Sequence, residues 1–254
     1  MNLNEMTIRT AAELVRRATH IVAITGAGIS TPSGIPDFRS ADAGLWDQAD
    51  PMVVASLQAF LRDPQPFYTW FRPLLKTILQ AHPNPAHHAL ARLESAGKLK
   101  AVVTQNIDDL HRRAGSRTVY ELHGHLREMT CMRCQQVDLA APVISAFTAD
   151  GHIPHHHCGG ILKPNVIFFG ELLPQPTYAA SVATLQLADL VMVVGSSMEV
   201  APASELPRMA MQRGAKLIIV NFDATPWDAK AEVVIHADAA EVLPFIAELA
   251  LASV

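Results

Sequence analysis

Residues 21–39 read IVAITGAGISTPSGIPDFR, and the order of residue types in this stretch decides the fold class. IVAIT is a short β-branched run with no polar alternation, as expected of a strand buried on both faces of a parallel sheet. GAGIS follows directly. Gly26 and Gly28 let the backbone turn sharply and approach a phosphate, whose charge the N–H groups at a following helix start can hold. The third glycine of a dinucleotide fingerprint is absent, because Thr31 stands there. An ordinary strand-to-helix turn reads equally well on this feature alone. Pro32 and Pro36 then bar a regular helix, so a loop carrying Asp37, Phe38 and Arg39 follows the turn. A dehydrogenase would start a regular helix there and place an acidic residue about 20 positions on.

Further apolar runs at 101–104 (AVVT), 190–194 (LVMVV), 217–220 (LIIV) and 232–237 (EVVIHA) have the same character. Helical patterns at 86–96, 178–187, 203–213 and 239–249 alternate with them. This alternation implies an α/β fold, a doubly wound parallel sheet with helices on both faces. Residues 41–80 and 126–165 break the pattern and read as insertions that together build a smaller second module.

At 254 residues, the chain is long enough for a large domain plus a small one. Hydrophobic residues make up 50% and charged residues 17%, a globular composition. The net charge of −4, without like-charge runs, argues against nucleic acid but leaves room for a basic peptide. Residues 1–20 lack the apolar centre of a signal peptide, and no apolar run reaches membrane length. All three cysteines fall between Cys131 and Cys158, a pattern that suits a metal better than disulfides. A reducing, cytoplasmic setting is expected.

TQNIDDLH (104–111) puts Gln105, Asn106 and Asp108 at the carboxyl end of a strand, where such sheets bind ligands. An amide beside a carboxylate can hold a carboxamide such as that of nicotinamide. A helix N-cap would explain one of these residues but not three. In YELHGH (120–125), His123 precedes a glycine and can project as a general base, and His125 is chemically its equal. Cys131-x2-Cys134 and His155-x2-Cys158 have zinc-ribbon spacing with one cysteine changed to histidine. Cys3His is a recognised structural zinc set. His156 and His157 compete with His155 for the fourth place.

GAGIS, GIPDFR, TQNID, HG, the cysteine pair, CGG with KPNVIFFGE, GSS and the Asn of IVNFD occur in one order along the chain. Together they resemble the sirtuin family of NAD-dependent protein deacylases over roughly residues 15–250. The resemblance implies a Rossmann-like NAD-binding domain of residues 1–40, 81–125 and 166–254. It implies a small domain made of a helical insertion (41–80) and a zinc-binding module (126–165). NAD, consumed as co-substrate, and an acylated-lysine protein or peptide would enter the cleft between them.

By motif position, Gly26, Ala27 and Arg39 line the phosphate side, with Asp37 in the same NAD-binding loop, and Phe38 covers the reacting ribose. Ser30, Ile35, Asn106 and Asp108 form the nicotinamide pocket, with Gln105 beside the ribose. Gly195, Ser196, Ser197, Asn221 and Ala239 hold the phosphate and adenosine end. His123 occupies the base position and, with Asn106 and Asp108, forms the catalytic set. Ile167, Phe169, Gly170 and Glu171 on one side, and Met198 and Val200 on the other, sandwich the peptide as an added strand. Phe169 also walls the acyl-lysine tunnel. In the family's reaction the acyl-lysine amide oxygen attacks the ribose as nicotinamide leaves. The products are free lysine, nicotinamide and O-acyl-ADP-ribose.

Two departures from the family pattern stand out. The third zinc ligand is His155 instead of cysteine. Members that prefer succinyl or malonyl groups carry Tyr-x-x-Arg in the helical insertion, whereas here Phe71 follows Tyr68 at that spacing and Arg72 comes one step late. Neutral acyl groups are therefore favoured. Protein mono-ADP-ribosylation from the same NAD site is the alternative activity.

Overall fold

The computed structural model describes residues 3–38 and 44–252. The chain runs α1 (Leu3–Arg17), β1 (Ile21–Thr25), two short 3-10 turns, α2 (Leu45–Gln48), α3 (Pro51–Val54), α4 (Leu57–Arg62), α5 (Gln65–Gln80), α6 (Pro85–Ser95), β2 (Leu99–Thr104), α7 (Leu110–Arg113) and β3 (Val119–Glu121). It continues through β4 (Gly124–Cys131), β5 (Val137–Leu139), α8 (Ala140–Asp150), β6 (Leu162–Val166), α9 (Gln175–Leu185), β7 (Leu190–Val194), α10 (Leu206–Met211), β8 (Lys216–Val220), β9 (Val233–Ile235) and α11 (Ala239–Leu251).

Six strands form one parallel sheet in the order β3-β2-β1-β7-β8-β9. Every residue of β1 is buried, because the period of two sends alternate side chains into two different cores. Ile21 and Ala23 meet α1, α6 and α11 on one face. Val22 and Ile24 meet α9 and α10 on the other. This two-sided cover is why the strands read as unbroken apolar runs. Full burial of a side chain such as Ile21 is worth about 1.5–3 kcal/mol over exposure.

The strand order reverses between β2-β1 and β1-β7, so the loops after β1, β2 and β7 open a crevice at their carboxyl ends. The run EVVIHA is a strand only at Val233–Ile235. The helical pattern at 203–213 is split into a 3-10 turn and the short α10, with Pro207 at its start.

The two insertions share a core that also takes in Ile35, Leu110, Val166 and Phe168 from outside them. α5 buries Phe67, Tyr68, Phe71, Leu74, Leu75 and Ile78 against Phe60, Ile144, Phe147, Leu162 and Phe168. Its floor is a three-stranded antiparallel sheet, β5-β4-β6, absent from the strand runs expected from sequence. β4 is eight residues long but mixed in polarity, and β5 has only three residues, so neither reads as an apolar run. Among the described residues no helix is long and apolar enough to cross a membrane.

Candidate active site

Three glycines allow the turns after β1 and β7 to touch. A Cβ on Gly26 would sit 2.8 Å from the Ser196 Cβ, and one on Gly28 3.0 Å from the Gly195 oxygen. One on Gly195, whose φ is +58°, would lie 2.1 Å from the Ile29 nitrogen. The Gly28 N–H donates to Gly195 O at 2.9 Å, so it is spent on this junction instead of facing an anion. These glycines are required by backbone packing at the switch point, which in turn opens the crevice.

That crevice is a cavity of about 1090 Å³. Around it stand Gly26, Ala27, Ser30, Ile35, Asp37, Phe38, Gln105, Asn106, Asp108 and His123 from the first half of the chain. Ile167, Phe169, Gly170, Glu171, Gly195, Ser196, Ser197, Val200, Asn221 and Ala239 line it from the second half. Arg39 lies outside the described residues. Met198 does not line the cavity. Its side chain is buried in the core behind β7, with its sulfur accepting from Ser196 Oγ at 3.3 Å.

The polar end is a connected set. Ser30 Oγ donates to Asp108 Oδ2 at 2.7 Å, and the Leu110 N–H donates to Asp108 Oδ1 at 2.9 Å. Asn106 Nδ2 donates to Gly26 O and to Ser30 Oγ, each at 3.1 Å. Burial raises the Asp108 pKa, and the bonds from Leu110 and Ser30 act against it. Gln105 Nε2 reaches Ser196 Oγ at 3.0 Å, linking the β2 and β7 loops.

A second polar layer lies beneath this set and was missed from sequence. His87 Nε2 is 3.5 Å from Ser30 Oγ, and its ring centre is 4.8 Å from that of His111. His111 Nε2 contacts Thr25 Oγ1 at 2.8 Å, and Thr25 donates to Thr104 Oγ1 at 2.8 Å. Asn84 caps α6 and donates to Ile29 O at 2.8 Å and Ser33 Oγ at 2.9 Å, which ties the glycine turn down. Burial pushes His87 down to about 4 and His111 well below its ordinary value, so both are neutral supports. The visible signal was NPAH (84–87), an Asn-Pro helix start with a polar residue three places on.

His123 lines the cavity while His125, beyond it, points to Glu128 at 3.9 Å. Gly124 between them has φ +78°, and a Cβ there would lie 2.0 Å from Asn165 O. The chain turns at this glycine, and the two imidazoles part.

The apolar end is aromatic. Phe38 meets Trp46 at 4.9 Å between ring centres, Trp46 stacks on Trp70 at 5.6 Å, and Phe169 closes on Trp46 at 6.1 Å. α5 adds Phe67, Trp70, Phe71, Leu74 and Ile78, which recur on one helix face. Among the described residues no lysine or arginine lines the cavity. Tyr68 is buried, its hydroxyl donating to Leu162 O. Arg72 donates to Thr148 O at 3.0 Å and Ala149 O at 2.8 Å, at the end of α8 and away from the cavity.

Ligand atoms of Cys131, Cys134, His156 and Cys158 lie within 4.8 Å of one another. His155, the residue expected from spacing, is not among them. The reason is the period of two in an extended segment. His155 pairs with Ile161 and turns its exposed ring outward, Nδ1 against Ile153 O at 2.8 Å. His156 faces the opposite way, its Nδ1 3.1 Å from Cys158 Sγ and 3.4 Å from Cys134 Sγ. Cys131 and Cys158 Sγ are 3.5 Å apart. Tetrahedral zinc with bonds of about 2.0–2.3 Å sets its ligands roughly 3.4–3.8 Å apart, close to these separations, and three thiols with one imidazole are a Cys3His donor set that suits it.

Backbone N–H groups of Cys134 and Arg133 hold the Cys131 thiol down to about 7, towards the thiolate a metal needs. His156 Nε2 is buried 3.8 Å from the Asp138 carboxylate, which is placed to orient the ring. Gly160 leaves space for the sulfur, since a Cβ there would sit 2.5 Å from Cys131 Sγ.

Residues 26–202 match the Sir2 family. NAD-dependent protein deacylase 2 of Archaeoglobus fulgidus is 48% identical over 243 residues, 95% of each chain. A structure solved in work on the mechanism and regulation of Sir2 enzymes superposes with a TM-score of 0.92 at 46% identity, covering 97% of this chain and 98% of that one. A Sir2 variant solved with a deacetylated p53 peptide and 3′-O-acetyl-ADP-ribose gives 0.89 at 38% identity, with 98% of each chain covered.

Proposed function

This chain belongs to the Sir2 family, and on that premise we propose how its cleft works. The protein is an NAD-dependent protein-lysine deacylase that moves an acyl group from lysine to ADP-ribose and releases nicotinamide. NAD is its co-substrate and zinc its structural metal. Its substrates are acylated-lysine proteins or peptides.

One observation carries the assignment of roles. The Ser30–Asn106–Asp108 set, His123 and the aromatic wall all face one cavity. NAD supplies the electrophilic ribose carbon and the nicotinamide leaving group. Asn106 and Asp108 hold the carboxamide, and the buried His87–His111 layer fixes their support. Phe38, packed on Trp46, keeps water from the reacting carbon. His123 takes a proton from the ribose hydroxyls. Gly26, Ala27, Asp37, Gln105, Gly195, Ser196, Ser197, Asn221 and Ala239 seat the rest of the dinucleotide, while Ile167, Phe169, Gly170 and Val200 seat the peptide, with Glu171 in the same wall. Cys131, Cys134, His156 and Cys158 hold the zinc.

The two insertions, 41–80 and 126–165, act as one small domain, and their shared core supports this division. Neutral acyl groups are preferred, because no described cation lines the tunnel and Arg72 is engaged at α8. Three thiols gathered at one metal site suit a reducing, cytoplasmic setting.

The test is an acetyl-lysine peptide incubated with and without NAD, the products identified by mass. O-acetyl-ADP-ribose and nicotinamide are expected only with NAD, and His123→Ala should abolish them. Deacetylation without NAD, or transfer of ADP-ribose to protein in its place, would refute the reading.

A further inference from the structure

Lys163 is buried, 6% exposed, in β6 of the small sheet. Its Nζ donates to Val166 O at 2.8 Å and pairs with Glu171 Oε2 at 2.9 Å. It also lies 4.2 Å from the centre of the Phe168 ring. The same Glu171 oxygen accepts the Phe168 N–H at 2.7 Å. One ammonium and one carboxylate thus fold residues 163–171 into a closed loop.

That loop stands between three structures. Ile167 N–H donates to His123 O at 2.9 Å, which ties it to the base. Phe169 bonds through its N–H to Ala55 O at 2.9 Å and through its oxygen to the Leu57 N–H at 3.0 Å, which ties it to the helical insertion. Upstream, Leu162 pairs with Cys131, so the strand that delivers Lys163 is set by the metal module. Val166, Ile167, Phe168, Phe169, Gly170 and Glu171 all line the cavity.

A buried ion pair is a poor device for stability, because desolvation offsets most of the attraction. It is a good device for choosing one loop conformation out of several. One oxygen of the Glu171 carboxylate, moreover, serves both Lys163 and the Phe168 N–H.

We propose that Lys163 is a positioning residue for peptide recognition: through Glu171 it locks the loop that presents the substrate wall, and couples that wall to the zinc sheet. The proposal rests on the deacylase reading for the identity of the peptide. It assigns Glu171 to holding the loop and leaves substrate contact to its neighbours.

The test compares wild type, Lys163→Met and the double variant Lys163→Met/Glu171→Leu. The double variant leaves no orphan buried charge, so it guards against simple misfolding of the single one. KM for an acetyl-lysine peptide and for NAD are measured separately, together with the thermal midpoint and the affinity for a fluorescent acetyl-lysine peptide by polarization. Peptide KM and dissociation constant are expected to rise roughly tenfold or more in the double variant, since small misplacements of a binding wall have effects of that order. KM for NAD should stay within about twofold, because the loops after β1 and β7 are untouched. Unchanged peptide affinity in a folded double variant overturns the proposal, as does a parallel rise in both KM values. Wild-type protein that binds the peptide but shows no NAD-dependent turnover refutes the deacylase reading instead, and the polarization comparison still decides the role of Lys163.

Discussion

His155 and His156 are adjacent, chemically identical, and on opposite sides of an extended segment. Ligand spacing alone favoured the first, and side-chain alternation places the second at the metal. Zinc content of the purified protein should therefore fall in His156→Ala and remain at wild-type level in His155→Ala, as read by elemental analysis. The side chain of Met198 packs behind β7, which leaves its backbone for the added-strand contact that motif position implies. The neutral pair His87 and His111 makes a prediction of a different kind. The His87 pKa is depressed from 6.5 to about 4 by burial. The unfolded chain then binds a proton that the folded one refuses, so stability is full above pH 6.5 and is lost as pH falls from 6.5 towards 4. His87 contributes roughly 3 kcal/mol to that acid loss. Thermal midpoints measured across this range should drop less steeply for His87→Asn than for wild type.

Helix α5 divides its residues by face. Phe67, Trp70, Phe71, Leu74 and Ile78 look into the cavity, while Tyr68 and Arg72 look to β6 and α8. The i, i+4 relation of Tyr68 and Arg72 was legible in the sequence. Which neighbour that face meets was not, because it depends on α8, an element that the cysteine-rich stretch concealed. Arg72→Ala should leave the ratio of acetyl to succinyl turnover unchanged on matched peptides. It should cost about 1–3 kcal/mol of stability, the worth of charged hydrogen bonds to the α8 carbonyls, read as a lower denaturation midpoint. A change in acyl preference would place Arg72 in the tunnel after all.

Across the whole molecule, two cores flank the parallel sheet and a third is built mainly from residues 41–80 and 126–165. The three-stranded sheet is small, and such sheets need packing or a metal to persist. Zinc removal by a chelator should loosen this module first. Peptide affinity is expected to fall, while ADP-ribose binding, measured by calorimetry, should persist on the intact large sheet. Loss of both together, with loss of far-UV helix signal, would mean that the two parts unfold as one.

The apolar runs, the glycine turn, the polar strand end and the cysteine pair are local patterns. The sequence by itself therefore determined the parallel sheet, the ends of its strands that bear the site, and the kind of metal site beside it. Their physics is local too, since strand period, proline geometry and ligand chemistry act within a few residues. Tertiary structure alone decided that His156 and not His155 faces the thiols, that Arg72 is spent on α8, and that His87 and His111 meet beneath Asp108. Each of those outcomes depends on which face of one element packs against another far away in the chain, a choice made by the shared cores and not by any single stretch.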